Sequence, residues 1–492
     1  MKLALDMTKG KEWKLIILFA IPVLFSNLFQ SLYNIIDSII VGKYVSKEAL
    51  AAVSSSGNLI FLFNSFFIGL SSGAGVVIAR YFGKSDIENM RKSIHNSVLV
   101  GLVSSLFLTL VGVLISPFIL KAMGTPLDVI GESTEYFRIY FFGVSGVIMY
   151  NSFAGILQAR GDSTRPLIFL IISTIINILL DLLFIRVFNM GVAGAGLATI
   201  ISQFASAILA FFTLLNKKQD YHLSLKELRF NRRIMHEILY NGIPSGIQNS
   251  VIGLANVVVQ SNINSFGSDT MAGCGAYSKV ESFAFLPITC FQIALATFVS
   301  QNLGAGEVER AKRGSRFAII TSSVMAFGIG VIAYFSAPYL LKLFVNSDLS
   351  KEVADKVVGI GVRALHTTCF FYPLLAYAHC TAATLRGSGH AIIPMVVMLS
   401  VWCVFRVIYV TFMMNVVNHE IRLLYTAYPV TWGISCIIYF IYYHFTNWTV
   451  RKDYRHWYKT KFNICKSYEW ANLITKLAFY YAIIYVVIIW KD

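Results

Sequence analysis

Charge is scarce in this sequence. Of its 492 residues only 13% are Asp, Glu, Lys or Arg, about half the share of a soluble domain. Against that, 56% are hydrophobic and the mean hydropathy is +0.66, which excludes a soluble fold. The seven cysteines form no CxxC pair, and six stand in apolar blocks. They read as small hydrophobes, with neither a disulfide framework nor a metal site implied. No Walker loop is present, which argues against ATP as the energy source. There is no serine or cysteine triad, and the histidines, His379 included, lack metal-ligand spacing. The G-x-G spacings in "SSGAGVV" and "GVAGAG" follow no soluble strand of a βαβ unit, so they read as small-residue faces for close helix packing. The basic leader "MKLALDMTKGKEWK" lacks a small-residue cleavage site and reads as a retained first helix.

What is present is a series of apolar blocks, each long enough to cross a bilayer, for which ~20 residues suffice. Twelve are found, at 15–41, 54–79, 94–119, 136–158, 167–188, 191–215, 236–265, 272–300, 317–341, 358–385, 391–415 and 423–446. The formal charge of +16 belongs to their connections. Alternate connections carry 21 Lys and Arg against 8 in the opposite set, before the basic tail after Trp448. By the positive-inside rule both ends of the twelve-helix unit, the N-terminus among them, are cytoplasmic. The charge orients the protein and excludes nucleic acid as a partner; the expected setting is the cell membrane and its lipids.

The chain repeats itself. "IPVLFSNLFQSLYNIIDSIIVG" from Ile21 lines up with "IPSGIQNSVIGLANVVVQSNIN" from Ile243, and "YFGKSDIENMRKS" from Tyr81 with "NLGAGEVERAKRG" from Asn302. "LQARGDSTRP" from Leu157 resembles "ATLRGSGHAIIP" from Ala383. The expected fold is therefore an all-α polytopic membrane protein, with twelve helices in two six-helix lobes related by a pseudo-two-fold along the membrane normal. The lobes are 1–215 and 236–447, joined by a cytoplasmic linker 216–235. A basic, aromatic tail follows at 448–492, in which "LAFYYAIIYVVIIW" is an interfacial or a further spanning helix.

Polar groups inside the blocks are few. Gln30, Asn34 and Asp37 share one helical stripe, with Tyr33 a turn before Asp37; Ser173, Asn177 and Asp181 repeat the device in the fifth block. At 1.5 Å per residue, Asp37 lies ~8 Å below the outer end of its helix, Asp181 ~11 Å and Thr199 ~12 Å. Three separately placed polar groups thus share one level. A carboxylate there costs roughly 2.5–3.5 kcal/mol on insertion scales and marks function by default; the plainer readings are snorkelling and interhelical glue. The second half does not repeat the acids: Asp37 maps to Val258 or Val259, and Asn177 and Asp181 map to Phe405 and Tyr409. It carries Lys279 and Glu281 in the eighth block and Arg406 in the eleventh. Arg406 reads first as a structural arginine paired with a carboxylate or carbonyls, and Glu281 as its partner or a second cation or substrate site.

Tyr33-x-x-x-Asp37, "RGDSTRP", Asn177-x-x-x-Asp181 and "GVAGAGLATIIS", in this order and within the two-fold repeat, resemble the multidrug and toxic compound extrusion (MATE) family. The resemblance covers roughly residues 10–455 and is nearest to the DinF-like branch. It implies a cation-coupling cluster at Asp37, Asn177, Asp181 and Thr199, and export of organic, often cationic and amphipathic compounds against inward protons or sodium. The second-half acids of the NorM-like branch are missing from "GIPSGIQNSVIGLANVV" and "CFFYPLLAYAHCTAAT". The tail departs from the family, which usually ends soon after helix 12.

The expectation is thus a cation-coupled antiporter working by alternating access. Asp37 and Asp181 carry the coupling charge, Asn177 and Thr199 add oxygen ligands for H+ or Na+, and Tyr33, Asn34, Gln30, Glu281 and Arg406 face the substrate. It is expected to act as a monomer, without cofactor, metal centre or enzymatic activity. Two rivals are a lipid-linked glycan flippase of the same superfamily, for which Arg406 and Lys279 are a thin cationic basis, and an intramembrane enzyme using Asp37 and Asp181 as an acid pair.

Overall fold

A computed structural model describes residues 4–45, 47–122, 130–264, 266–344, 350–414 and 420–450. The predicted helix in the tail lies outside these residues. All described regular structure is helical: α1 Glu12–Tyr44, α2 Lys47–Gly83, α3 Ile87–Ala122, α4 Ile130–Phe142, α5 Val144–Ala159, α6 Thr164–Asp181, α7 Gly191–Leu214, α8 Arg232–Asn264, α9 Ser268–Gly304, α10 Val308–Lys342, α11 Lys351–Thr368, α12 Tyr372–Gly387, α13 Ile392–Val397, α14 Arg406–Phe412 and α15 Ile421–Phe445. Ten spans among the described residues are long and apolar enough to cross a membrane, and α4 with α5 forms an eleventh, bent by 45°. With α8, 33 residues long, they match the twelve apolar blocks of the sequence. The chain is a multi-pass membrane protein.

Packing explains which faces these helices hide. Along α3 the side chains of Leu106, Leu110, Leu114 and Phe118 recur every four residues and are 71%, 65%, 63% and 73% exposed. An apolar stripe of that length is stable only against lipid. The buried faces pack apolar cores, with glycines where helices come closest. A Cβ on Gly73 of the "SSGAGVV" motif would lie 2.3 Å from the Gly242 Cα, so α2 and α8 meet backbone to backbone. In "GVAGAG" a Cβ on Gly196 would lie 3.0 Å from Ile139, which brings α7 against α4. Both glycine motifs are packing faces.

The described residues form two compact units, Met1–Gly246 with Ser300–Glu307, and Ile247–Val299 with Val308–Asp492. In the first, the leader is a non-helical strap before α1, with a turn at Met7 and Thr8. Leu5 donates its N–H to Gly161 O at 3.0 Å, and Met7 is fully buried. The Met7 N–H donates to Gln301 Oε1, and Asn302 Nδ2 donates to Met7 O, both at 3.1 Å.

The internal repeat is visible in the helix ends. After α2, Ser85 has φ +57°, and Asp86 N donates to Tyr81 O at 3.1 Å and Ser85 N to Phe82 O at 2.9 Å. After α9, Gly306 has φ +81°, and Glu307 N donates to Asn302 O and Gly306 N to Leu303 O. The ends of α5 and α12 form a second such pair, turning at Gly161 and Gly389, both at φ +91°. There Asp162 N donates to Leu157 O and His390 N to Leu385 O, at 2.9 and 2.8 Å. All four are six-to-one, left-handed helix ends. The matched glycine-charge loops therefore repeat as geometry.

Candidate functional site

The site in the first unit is built by α1, α6 and α7. α6 buries one stripe of its surface, Ser173, Asn177 and Asp181, at i, i+4 and i+8. Asn177 and Asp181 are fully buried and Asp37 is 7% exposed. Their polar atoms find no protein donor or acceptor: Asp37 Oδ1, both Asp181 oxygens, and both amide atoms of Asn177 stand without a hydrogen bond. The Asp37 and Asp181 carboxyls face one another within hydrogen-bonding reach. Tyr33 donates its hydroxyl to Thr199 Oγ1 at 3.0 Å, which fastens α1 to α7 beside the pair. Behind them Ser173 donates to Ser202 O at 2.7 Å, and Ser202 to Thr199 O at 2.8 Å, locking α6 on α7.

The backbone changes at this place. The six residues after Asp181, Leu182–Val187, continue as a π-helix. Such wide turns gather at functional sites because they re-aim the side chains around them. Two tyrosines that sequence reasoning did not single out join the surroundings. Tyr136 and Tyr140 of α4 are buried, Tyr136 is within electrostatic range of both acids, and Tyr140 accepts from Asn64 Nδ2 at 2.7 Å. Their i, i+4 spacing was the available signal, but aromatic pairs at that spacing are commonplace in apolar helices. Gln30 and Asn34 are exposed and stand outside the buried cluster.

The donor set can be tested against a cation. The groups that face inward are carboxylate, amide and hydroxyl oxygens, hard ligands of the kind a sodium ion or a proton takes. No group of three or more His, Cys, Asp or Glu with metal-holding geometry occurs among the described residues.

In the second unit Tyr277 donates its hydroxyl to Glu281, and Lys279 extends towards the ring of Phe344, 5.8 Å away. Arg406 follows a second π-helix, Met398–Phe405, and is 1% exposed. It was expected to pair with a carboxylate or carbonyls. Instead its Nη2 donates to Thr431 Oγ1 at 2.9 Å, and its guanidinium lies over the rings of Trp402 and Tyr428 at 5.0 and 4.6 Å. His379 packs edge-on against Trp402 and meets Gln292 Oε1 at 3.3 Å.

Known proteins resemble the chain throughout. The "Probable multidrug resistance protein YoeA" of Bacillus subtilis is 28% identical over 446 residues, covering 89% of this chain and 95% of that protein. The "Probable multidrug resistance protein NorM" of Thermotoga maritima is 25% identical over 399 residues, covering 79% and 83%. A solved structure of a MOP superfamily transporter from Pyrococcus furiosus superposes with TM-score 0.83 at 22% identity, over 89% of this chain and 96% of that one. MATE transporter structures of this kind share the fold, twelve helices in two lobes. The MatE family model matches residues 22–183 and again 244–412, one stretch in each sequence repeat, and the chain belongs to that family.

Proposed function

We propose that this protein is a cation-coupled antiporter of the cell membrane, of the DinF-like branch. It exports organic, cationic and amphipathic compounds by alternating access, as a monomer with its N-terminus in the cytoplasm. Asp37 and Asp181 carry the coupling charge, and Asn177 and Thr199 assist. The observation that carries this reading is the pair of facing, buried carboxyls with no donor from the protein. Two full charges ~4 Å apart repel by about 4 kcal/mol at an effective dielectric of ~20. Both acids can be anionic only with a cation between them. A proton or a sodium ion therefore sets the net charge of the pair, which titrates as one unit. The relatives named multidrug resistance proteins supply the substrate class by analogy, and transport relatives speak against catalysis by the pair.

The test is ethidium efflux from proteoliposomes holding the full chain, under separately imposed proton and sodium gradients. Asp37→Asn and Asp181→Asn each abolish gradient-driven efflux while inserting normally, because Asn is uncharged and nearly isosteric. Thr199→Val removes a neutral oxygen and impairs sodium coupling more than proton coupling. Wild-type rates in both Asp variants would make the carboxylates structural and end this reading.

A further inference from the structure

The second unit holds another buried polar cluster, which cation coupling leaves unused. At its centre Arg406 is contacted by Thr431 and two aromatic faces, while its Nε donates to nothing. No carboxylate oxygen lies within 4.0 Å of its nitrogens among the described residues. Three more buried donors nearby make no well-formed hydrogen bond, in residues 1%, 2% and 1% exposed: the hydroxyl of Tyr372, which faces Thr368, the hydroxyl of Tyr425, which faces Cys274, and the indole N–H of Trp432, which faces no acceptor. Ring contacts tie them to the arginine. Tyr372 lies 6.1 Å from Trp432, Trp432 5.9 Å from Tyr428, and Tyr428 6.2 Å from Tyr425.

A cluster with a guanidinium Nε and an indole N–H unsatisfied, and two tyrosine hydroxyls only loosely held, is short of acceptors. Buried donors left so are costly, and a structural arginine in a core normally ends on a carboxylate. The nearest acid does not serve. Glu281 takes the hydroxyl of Tyr277, which also meets Thr368 Oγ1 at 3.1 Å, and it senses Arg406 only through space. The other titratable groups turned to it are Tyr372, Tyr425, Tyr428 and, on its own helix, Tyr277. Glu281 is also only half-buried, whereas Arg406 is 1% exposed.

We propose that this cluster is an anion site, which takes the carboxylate of an apolar or aromatic organic acid. The carboxylate accepts from Arg406, Trp432 and the tyrosines, and the ligand's rings lie against the aromatic wall. Glu281 is the neighbouring negative charge that opposes the ligand through space. The site adds acids to the cations assigned above, and the binding it predicts needs no ion gradient.

The experiment is calorimetric titration of the full-length protein in detergent with benzoate, and with benzamide as its neutral counterpart. Benzoate binds at least tenfold more tightly than benzamide. Arg406→Gln abolishes that preference, and Glu281→Gln strengthens benzoate binding at least threefold by removing the opposing charge. Trp432→Phe, which keeps the ring and deletes one donor, weakens it several-fold and covers the case in which Arg406→Gln fails to fold. Asp37→Asn leaves benzoate binding unchanged, which separates this site from the coupling pair. A wild type that does not prefer benzoate, or Arg406→Gln and Glu281→Gln variants that weaken binding alike, would make the cluster structural and overturn the proposal.

Discussion

Gly161 shows how narrowly a single position can be specified. Its φ of +91° belongs to the left-handed region, and a Cβ there would stand 1.9 Å from Leu5 O. The left-handed conformation alone costs an L residue roughly 1–2 kcal/mol, and the overlap must be relieved by moving the strap. Gly161→Ala is therefore expected to destabilise by more than that amount and to release residues 5–8. Two readouts check it: a lower thermal unfolding midpoint in detergent, and oxidation of Met7, fully buried in the wild type, by dilute peroxide. The glycine was legible in the sequence as part of "RGDSTRP", but its neighbour was not, because a contact with Leu5 across 156 positions leaves no local pattern. The same holds for Asp37 and Asp181. Each could be read singly as a costly acid at a given depth, and equal depth made a meeting plausible. Only folding shows the two carboxyls facing one another.

At the level of elements, the four left-handed helix ends let one half of the chain act as a control for the other. Ser85 and Gly306 occupy equivalent places after α2 and α9, with φ of +57° and +81°. Gly306 pays nothing for that conformation, while Ser85 carries a Cβ in a region that L residues avoid. Ser85→Gly should accordingly stabilise by about 0.5–1 kcal/mol and Gly306→Ser destabilise by a similar amount, read as opposite shifts of the thermal midpoint. Equal or like-signed shifts would mean that the two ends differ in strain for reasons outside the turn. These ends were legible because glycine and charge punctuate helices. The π-helices at 182–187 and 398–405 were not, since an extra residue in a turn changes no residue type and barely shifts the apolar period. The bend of 45° between α4 and α5 escaped for a similar reason: Gly143 is one glycine among 34.

For the whole molecule the twelve apolar blocks and the duplication were open to reading, because lipid imposes length and hydropathy on every span independently of its partners. The linker was legible only as a polar stretch, although it proves to be docked. Tyr221 is 2% exposed and accepts from Arg165 Nη1 at 2.8 Å, Ser224 N donates to His95 Nε2 at 3.1 Å, and Asn231 N donates to Asn96 Oδ1 at 3.0 Å. Arg91 Nε donates to Asp220 O at 3.1 Å. The linker and the basic turns at 91 and 165 therefore lie on one face, as a charge count that groups them requires. The orientation proposed above puts this face in the cytoplasm, since retained Lys and Arg mark the side from which a span is not translocated. Lys217 and Lys218 are exposed on it. A single cysteine at Lys218, in a chain otherwise freed of cysteine, should resist a membrane-impermeant maleimide in intact cells and react fully once the cells are opened. Labelling from outside would invert the orientation. The acids would then lie in the inner half of the bilayer, nearer the cytoplasm, and the coupling ion would have to reach Asp37 and Asp181 from the opposite side to the one proposed.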